Sequence, residues 1–164
     1  MQIVTLEPWT DADLDILRRA NTPELTVYLG GPETEDALAA RHAEYLAGGD
    51  AVAMFRIAVD GADAGYAGWW EQDHDGAPAY EVGCVVEPAW QGRGVAAAAL
   101  AEIVQRALAA GGGRPVVGYA NAENEASHAL CRRVGFSLEG TGMFPGAHPD
   151  EQPVAVNVWV IRPG

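Results

Sequence analysis

Along the first half of the chain, apolar positions come in short β-like stretches separated by turn residues, whereas the second half adds long stretches at helical spacing. Ile3 to Leu6 has the character of a first strand, and Thr10-Asp11-Ala12-Asp13 reads as an N-cap followed by acids, which predicts a helix through Arg19. Asn21-Thr22-Pro23 stops that helix and leaves Glu24 to Pro32 as a loop. The spacing of Leu38, His42, Tyr45 and Leu46 predicts a second helix, ending at Gly48-Gly49. Ala51 to Val59 and Ala64 to Glu71 flank Asp60-Gly61, a residue pair suited to a tight hairpin turn. The polar stretch Gln72 to Pro78 is expected to break the pattern, and Tyr80 to Val86 forms a third meander strand that Glu87-Pro88 ends. Val95 to Ala109 is Ala-rich and helical, Gly111-Gly112-Gly113 stops it, and Pro115 to Ala120 reads as a strand, completing a βαβ unit. A helix over Glu125 to Val134, ended by Gly135, and strands near Phe136 to Gly142 and Val154 to Ile161 finish the chain.

Composition narrows what such a chain does. Its 164 residues suit one domain, residues 1–164, and no apolar run approaches the roughly 20 residues needed to span a bilayer. Met1 to Glu7 lacks a basic n-region and meets an acid before any signal h-region forms, so a cytoplasmic location and no membrane partner are expected. A net charge of −13 argues against nucleic acid as a partner, because that affinity comes from Lys and Arg neutralising phosphates. The same acidic field favours a cationic small substrate. Cys84 and Cys131 lie far apart without C-x-x-C spacing, and no His or Asp cluster completes a metal site, so reduced thiols and no metal are expected.

The most informative stretch is Val85-Val86-Glu87-Pro88-Ala89-Trp90-Gln91-Gly92-Arg93-Gly94-Val95-Ala96, which passes from a strand through a glycine-rich turn into a helix. Unpaired N–H groups and the positive end of the helix dipole converge there, which suits a phosphate. Gly92 and Gly94 let the backbone approach a pyrophosphate closely, and Arg93 can add charge-assisted hydrogen bonds. Gly92 to Ala97 also satisfies the dinucleotide pattern G-x-G-x-x-A, and a plain turn and helix start is the structural alternative. A nicotinamide or flavin site expects the strand to run almost straight into the first Gly, with an acid about 20 residues onward. Here Pro88-Ala89-Trp90-Gln91 intervene, and the next strand ends in Val117-Gly118-Tyr119-Ala120 without an acid.

A second motif follows. Asn124, Ser127 and Cys131 share one face at helical spacing and precede Gly135-Phe136. Taken singly, Asn124 could cap the helix, Ser127 be a tolerated small residue and Cys131 a buried thiol. Together the two motifs resemble the GNAT superfamily of N-acetyltransferases over about residues 79 to 136. Gln91, Gly94 and Ala96 match its Q/R-x-x-G-x-G/A element, and Asn124, Ser127, Gly135 and Phe136 match its N-x-x-S/A followed by G-F. The string Asn124 to Arg133 is similar to the ribosomal-protein N-terminal acetyltransferase subgroup. The resemblance implies an α/β fold with a mixed, mostly antiparallel, twisted seven-stranded sheet, splayed between strands four and five, with helices on both faces.

It also implies acetyl transfer from acetyl-coenzyme A to a primary amine of a small molecule or a peptide N-terminus. The backbone of Val85 and Val86 would bind pantetheine, Gln91, Gly92, Arg93, Gly94, Val95 and Ala96 the pyrophosphate, and Asn124, Ser127 and Arg132 or Arg133 the rest of the cofactor. The sequence departs from the family at Cys131, where many members carry the Tyr that protonates the departing thiolate. That role falls to Ser127, to Cys131 or to water; free Cys is among the most buried residue types, which favours packing at Cys131. A coenzyme-A-binding member that has lost catalysis, or a dinucleotide enzyme, are the rival readings.

Attack by the amine needs a proton acceptor. Glu81 stands four residues before Val85, and alternation sets Glu81, Gly83 and Val85 on one face of their strand. A solvated Glu or a partner for an Arg is the alternative there. His74 and His148 are candidates expected in loops, and His128 is expected to be exposed on its helix; none shows a partner in the sequence. Tyr28, Trp70 and Tyr80 are candidate acceptor-binding residues, with Trp69 and Trp90 nearby, although strand aromatics more often pack. Trp69 and Trp70 must face opposite ways. The β-rich C-terminus offers an edge for a homodimer.

Overall fold

A computed structural model describes residues 1–144 and 152–164. The strands are β1 Val4–Pro8, β2 Val52–Val59, β3 Ala62–His74, β4 Ala77–Val86, β5 Val116–Asn121, β6 Ser137–Phe144 and β7 Val154–Ile161. The helices are α1 Leu14–Ala20, α2 Glu35–Ala47, α3 Val95–Ala110 and α4 Glu125–Val134. The strands form one sheet in the order β1-β2-β3-β4-β5-β7-β6. Only β4 and β5 run parallel; every other neighbouring pair is antiparallel.

Local chemistry explains the connections. Asp60 and Gly61 both take positive φ, 49° and 86°, as a two-residue turn of matching twist requires. Asp75 and Gly76 repeat the device at 53° and 77°, so Gln72 to Pro78 does not break the sheet. It forms the ends of β3 and β4 around a second Asp-Gly turn, paired as far as His74 with Ala77. Thr10 N–H donates to Asp13 Oδ2 at 2.7 Å and closes a single 3₁₀ turn, so the first α-helix begins only at Leu14. Thr34 caps α2 by accepting from Ala37 N–H.

The core has two faces. Ile57, Val82, Val86 and Trp159 from the sheet pack with Ile103 and Val104 of α3 and Cys131 of α4 on one side. On the other, Met54 and Tyr66 meet Trp9, Ile16 and Leu17, and Leu38 of α2. Trp69 belongs to the first side and Trp70 packs on the second, as alternation requires. Farther along that second side, Ala79, Val117 and Val160 form an apolar patch beneath Tyr119 and Val158.

Candidate active site

The parallel ladder between β4 and β5 is very short. Tyr80 pairs with Val116 and Glu81 with Val117, and beyond them Val82–Val86 and Gly118–Asn121 carry no pairing with each other. A wedge therefore opens in the sheet, and unpaired backbone groups line it. Glu87 N–H donates to the Ala64 carbonyl, and the Val85 carbonyl oxygen lies against Gly65, so both residues address β3. Alternation turns the backbone of Cys84 and Val86 toward the wedge. Of the two residues expected to bind pantetheine by their backbones, Val86 has the required direction and Val85 does not.

At the wide end of the wedge stands the glycine turn. Gly92 and Gly94 adopt φ of 72° and 79°, a region that side chains with a Cβ enter only under strain. Gly94 is the residue before α3, and among the described residues no side chain caps that helix or bonds to the amides of Val95 and Ala96, which leaves those donors facing the turn. A Cβ at Gly92 would meet nothing within 4 Å, which leaves open space before the turn. Gln91 acts as a staple: its Nε2 donates to the Val86 carbonyl at 2.9 Å and ties the turn to β4. Arg93 lies over the Trp90 ring at 5.1 Å, and its carbonyl accepts from Gln2. Arg133, not Arg132, approaches the turn, with its Nη2 4.0 Å from where a Gly94 Cβ would stand. Arg132 is turned to the Trp159 ring at 5.3 Å. These features fit a pyrophosphate.

In the second motif, Asn124 accepts from Ser127 N–H at 3.2 Å, so its side chain caps α4. Ser127 is half-buried one turn from Cys131. Cys131 is only 8% exposed in the core beneath α3 and α4, and burial pushes its thiol up to about 11. Burial pushes Cys84 up to about 12. Both thiols are free. His128 is not exposed, as expected, but buried: it bonds to Asn157 Nδ2 at 3.1 Å and lies beside the Trp159 ring, because the apolar stripe of α4 includes its position.

Glu81 sits at the last paired position before the wedge, on the face of β4 that looks toward α1 and α2. Burial raises its carboxyl above the ordinary range, while hydrogen bonds from Gln72, at 2.9 Å, and Trp70 partly restore the carboxylate. Trp70 is opposite Glu81 in the ladder, and its indole lies over Gly83, where a Cβ would come within 2.8 Å of the ring. His74, expected in a loop, ends β3 on the same face, and its Nδ1 is 2.7 Å from the Tyr119 hydroxyl. Tyr119 is the residue the sequence reading overlooked. It lies two positions beyond Val117 on β5, with its ring edge-on to Phe144 at 4.5 Å. Burial, then the charges of Glu81, Asp75 and Asp73, raise its hydroxyl above the usual phenol range.

The remaining candidates are spread out. Tyr80, expected in the acceptor pocket, is 5% exposed on the opposite face, between Trp69 and Arg114. Tyr28 is exposed, and its hydroxyl donates to the Glu123 carbonyl at 3.4 Å, so the loop after α1 reaches across to the start of α4. His148 lies outside the described residues. A cavity of about 50 Å³ beneath that loop, between Leu25, Arg41, Tyr66 and Val85, has room for a water or two and no more. Among the described residues, no group of His, Cys, Asp and Glu is arranged to hold a metal, and no helix is long and apolar enough to cross a membrane.

A strand-splayed sheet with a glycine turn at the mouth of the splay defines a class, and comparison with known proteins names it. The model of the acetyltransferase (GNAT) domain matches residues 4–137, so the chain belongs to the GNAT acetyltransferase family. No curated protein sequence matches it. Among solved structures, an N-acetyltransferase from Staphylococcus aureus Mu50 is similar with a TM-score of 0.75 at 21% identity, covering 98% of each chain. A GNAT-family acetyltransferase from Bacillus anthracis has a TM-score of 0.76 at 16% identity, covering 99% of this chain and 98% of that one. The phosphinothricin acetyltransferase from Sinorhizobium meliloti, solved with acetyl-coenzyme A, has a TM-score of 0.72 at 22% identity, covering 98% and 89%. At these identities the likeness is one of fold.

Proposed function

We propose that this protein transfers an acetyl group from acetyl-coenzyme A to a primary amine by direct attack. The observation that carries the reading is the junction of three parts: the unpaired wedge, the uncapped N-terminus of α3 beside it, and Glu81 at the wedge's closed end. The relative from Sinorhizobium meliloti, crystallised with acetyl-coenzyme A, supports the choice of donor. In this reading the amides of Val95 and Ala96, with Arg133, hold the pyrophosphate, and the Val86 N–H addresses the pantetheine or the acetyl oxygen. An amide preorganised toward a developing oxyanion typically contributes about 3 kcal/mol.

Glu81 takes a proton from the acceptor ammonium. The amine lone pair then bonds to the thioester carbonyl carbon, the carbon–sulfur bond breaks, the former amine nitrogen gives up its second proton to water, and the thiolate leaves to be protonated from solvent. A carboxyl raised by burial is better matched to an amine's proton at neutral pH than an ordinary one. The acceptor is a small molecule or a peptide N-terminus.

Thermal melting tests the donor. Acetyl-coenzyme A at 100 times its Kd should stabilise the fold by about 2.7 kcal/mol, with no response to NAD. A response to NAD alone overturns the reading. Thiol release in the presence of an amine panel then separates an enzyme from a protein that only binds the donor.

A further inference from the structure

The acceptor side of the site holds more polar chemistry than one base requires. On one face, β3 contributes Gln72 and His74, β4 contributes Glu81, and β5 contributes Tyr119, all standing on the apolar patch of Ala79, Val117 and Val160. His74 is 9% exposed, and its Nε2 has no hydrogen-bond partner among the described residues. The nearest charge to that nitrogen is Asp75 Oδ2, at 3.6 Å. In the neutral ring this carboxylate favours the tautomer with its proton on Nε2, which leaves Nδ1 bare. At 2.7 Å, the proton between Nδ1 and Tyr119 is then the phenol's own. With that tautomer Tyr119 donates to His74 and keeps its oxygen lone pairs as acceptors.

Two acceptors, the Tyr119 oxygen and the Glu81 carboxylate, therefore stand on one face. The surrounding charge is negative. Arg114 approaches Glu71 at 3.6 Å, but among the described residues no Arg pairs with Glu81, Asp73 or Asp75.

We propose that Tyr119, oriented by His74, and Glu81 form a receptor for an ammonium group with at least two N–H donors, which makes Tyr119 a specificity-determining residue for the acceptor. A primary ammonium carries three N–H donors. One proton passes to Glu81, one N–H donates to Tyr119, and the nitrogen lone pair freed by the first is left for the thioester; a tertiary or quaternary ammonium cannot supply both contacts. This inference rests on the proposed acetyl transfer only for what happens after binding.

The test is ¹⁵N-histidine NMR of the full chain, with methylammonium and tetramethylammonium chloride as probes. The His74 ring should show the Nε2–H tautomer. Methylammonium should shift its signals in a saturable way, whereas tetramethylammonium, which has no N–H, should not. Tyr119→Phe keeps the ring against Phe144 and should weaken methylammonium binding roughly tenfold, the scale of one hydrogen bond to a charged group. His74→Asn should weaken it in the same direction, read on the Tyr119 ring signals, and the double variant should be no worse than Tyr119→Phe alone, because His74 acts only through Tyr119. An Nδ1–H tautomer, equal responses to both ions, or no response overturns the receptor. Loss of acetyl-coenzyme A binding would overturn the proposed reaction and leave this result standing.

Discussion

The two halves of the site are built on different scales. The turn from Gln91 to Ala96 and the first turn of α3 are one continuous segment, and what they offer a ligand is backbone: amides, a dipole and the absence of side chains at Gly92 and Gly94. The acceptor face is assembled from single side chains on three strands, Trp70, Gln72 and His74 on β3, Glu81 on β4 and Tyr119 on β5. A backbone site is a local property of the chain. A side-chain site exists only once strand register is fixed, since a slip of one residue would carry every member to the other face.

The contrast breaks most sharply at Gly94. Its φ of 79° costs a residue with a Cβ about 1 kcal/mol, a loss the fold can bear. Replacing Gly94 with Glu also sets a carboxylate at the positive end of α3, where the pyrophosphate belongs. Acetyl-coenzyme A affinity, measured by calorimetry, should fall more than about 100-fold, which corresponds to a loss of roughly 2.7 kcal/mol. Unchanged affinity removes this turn from the site.

Glu81→Gln acts on the other half. Turnover should fall roughly 100-fold while donor affinity stays the same, as expected for loss of a general base. In the wild type, kcat/KM should rise with pH through the raised Glu81 pKa, and that limb should vanish in the variant. Stability should move oppositely. A carboxyl whose folded pKa is raised binds its proton more tightly in the fold, so its stabilising contribution is full below the unfolded pKa and is lost as pH rises through the folded one. At pH above the folded pKa the wild type holds a half-buried carboxylate that Gln lacks, and there Glu81→Gln should melt higher. A melting curve that drops instead makes Glu81 a structural partner of Gln72 and Trp70.

This difference in scale also governs how much could be read in advance. The strand-turn-helix passage and the helices α3 and α4 followed from glycines and periodicity, and the wedge from the family resemblance that the paired motifs carry. The second Asp-Gly turn, at 75–76, carried the same signal as the first but lay in polar flanks, and so the length of β3 and β4 was missed. With it went His74, which a longer β3 delivers to the face of Glu81. Tyr119 was passed over because nothing local marks it; only the pairing of Glu81 with Val117 brings it near. His128 deceived for a simpler reason, since a polar residue on a helix is usually exposed, and here Asn157 satisfies it in the interior.

Adjacent arginines give a finer test. Arg133 is directed at Gly94 and Arg132 at the Trp159 ring. Arg133→Ala should weaken acetyl-coenzyme A binding roughly fivefold, an effect that shrinks as salt is added. Arg132→Ala should leave affinity alone and lower stability by about 0.5 kcal/mol through the lost stacking. Calorimetry and melting of the two variants, side by side, decide the assignment. Equal affinity losses would mean that charge near α4 matters and its direction does not.

The smallest expected effect is at Cys131. The resemblance to the family makes this the position of a proton donor, and the thiol, pushed up to about 11, would be protonated at any assay pH. Yet it lies in the core beneath α3 and α4, while Glu81 and Tyr119 stand on the other face of the sheet. Its burial belongs to packing. Cys131→Ala should cost about 1 kcal/mol of stability, the price of a small cavity, and leave kcat within about twofold. A thiolate is a good leaving group without assistance, so no acid is needed for that outcome. A tenfold fall in kcat in a folded variant would mean that protons cross the splay, with chemistry on both faces of the sheet and no division between a backbone half and a side-chain half.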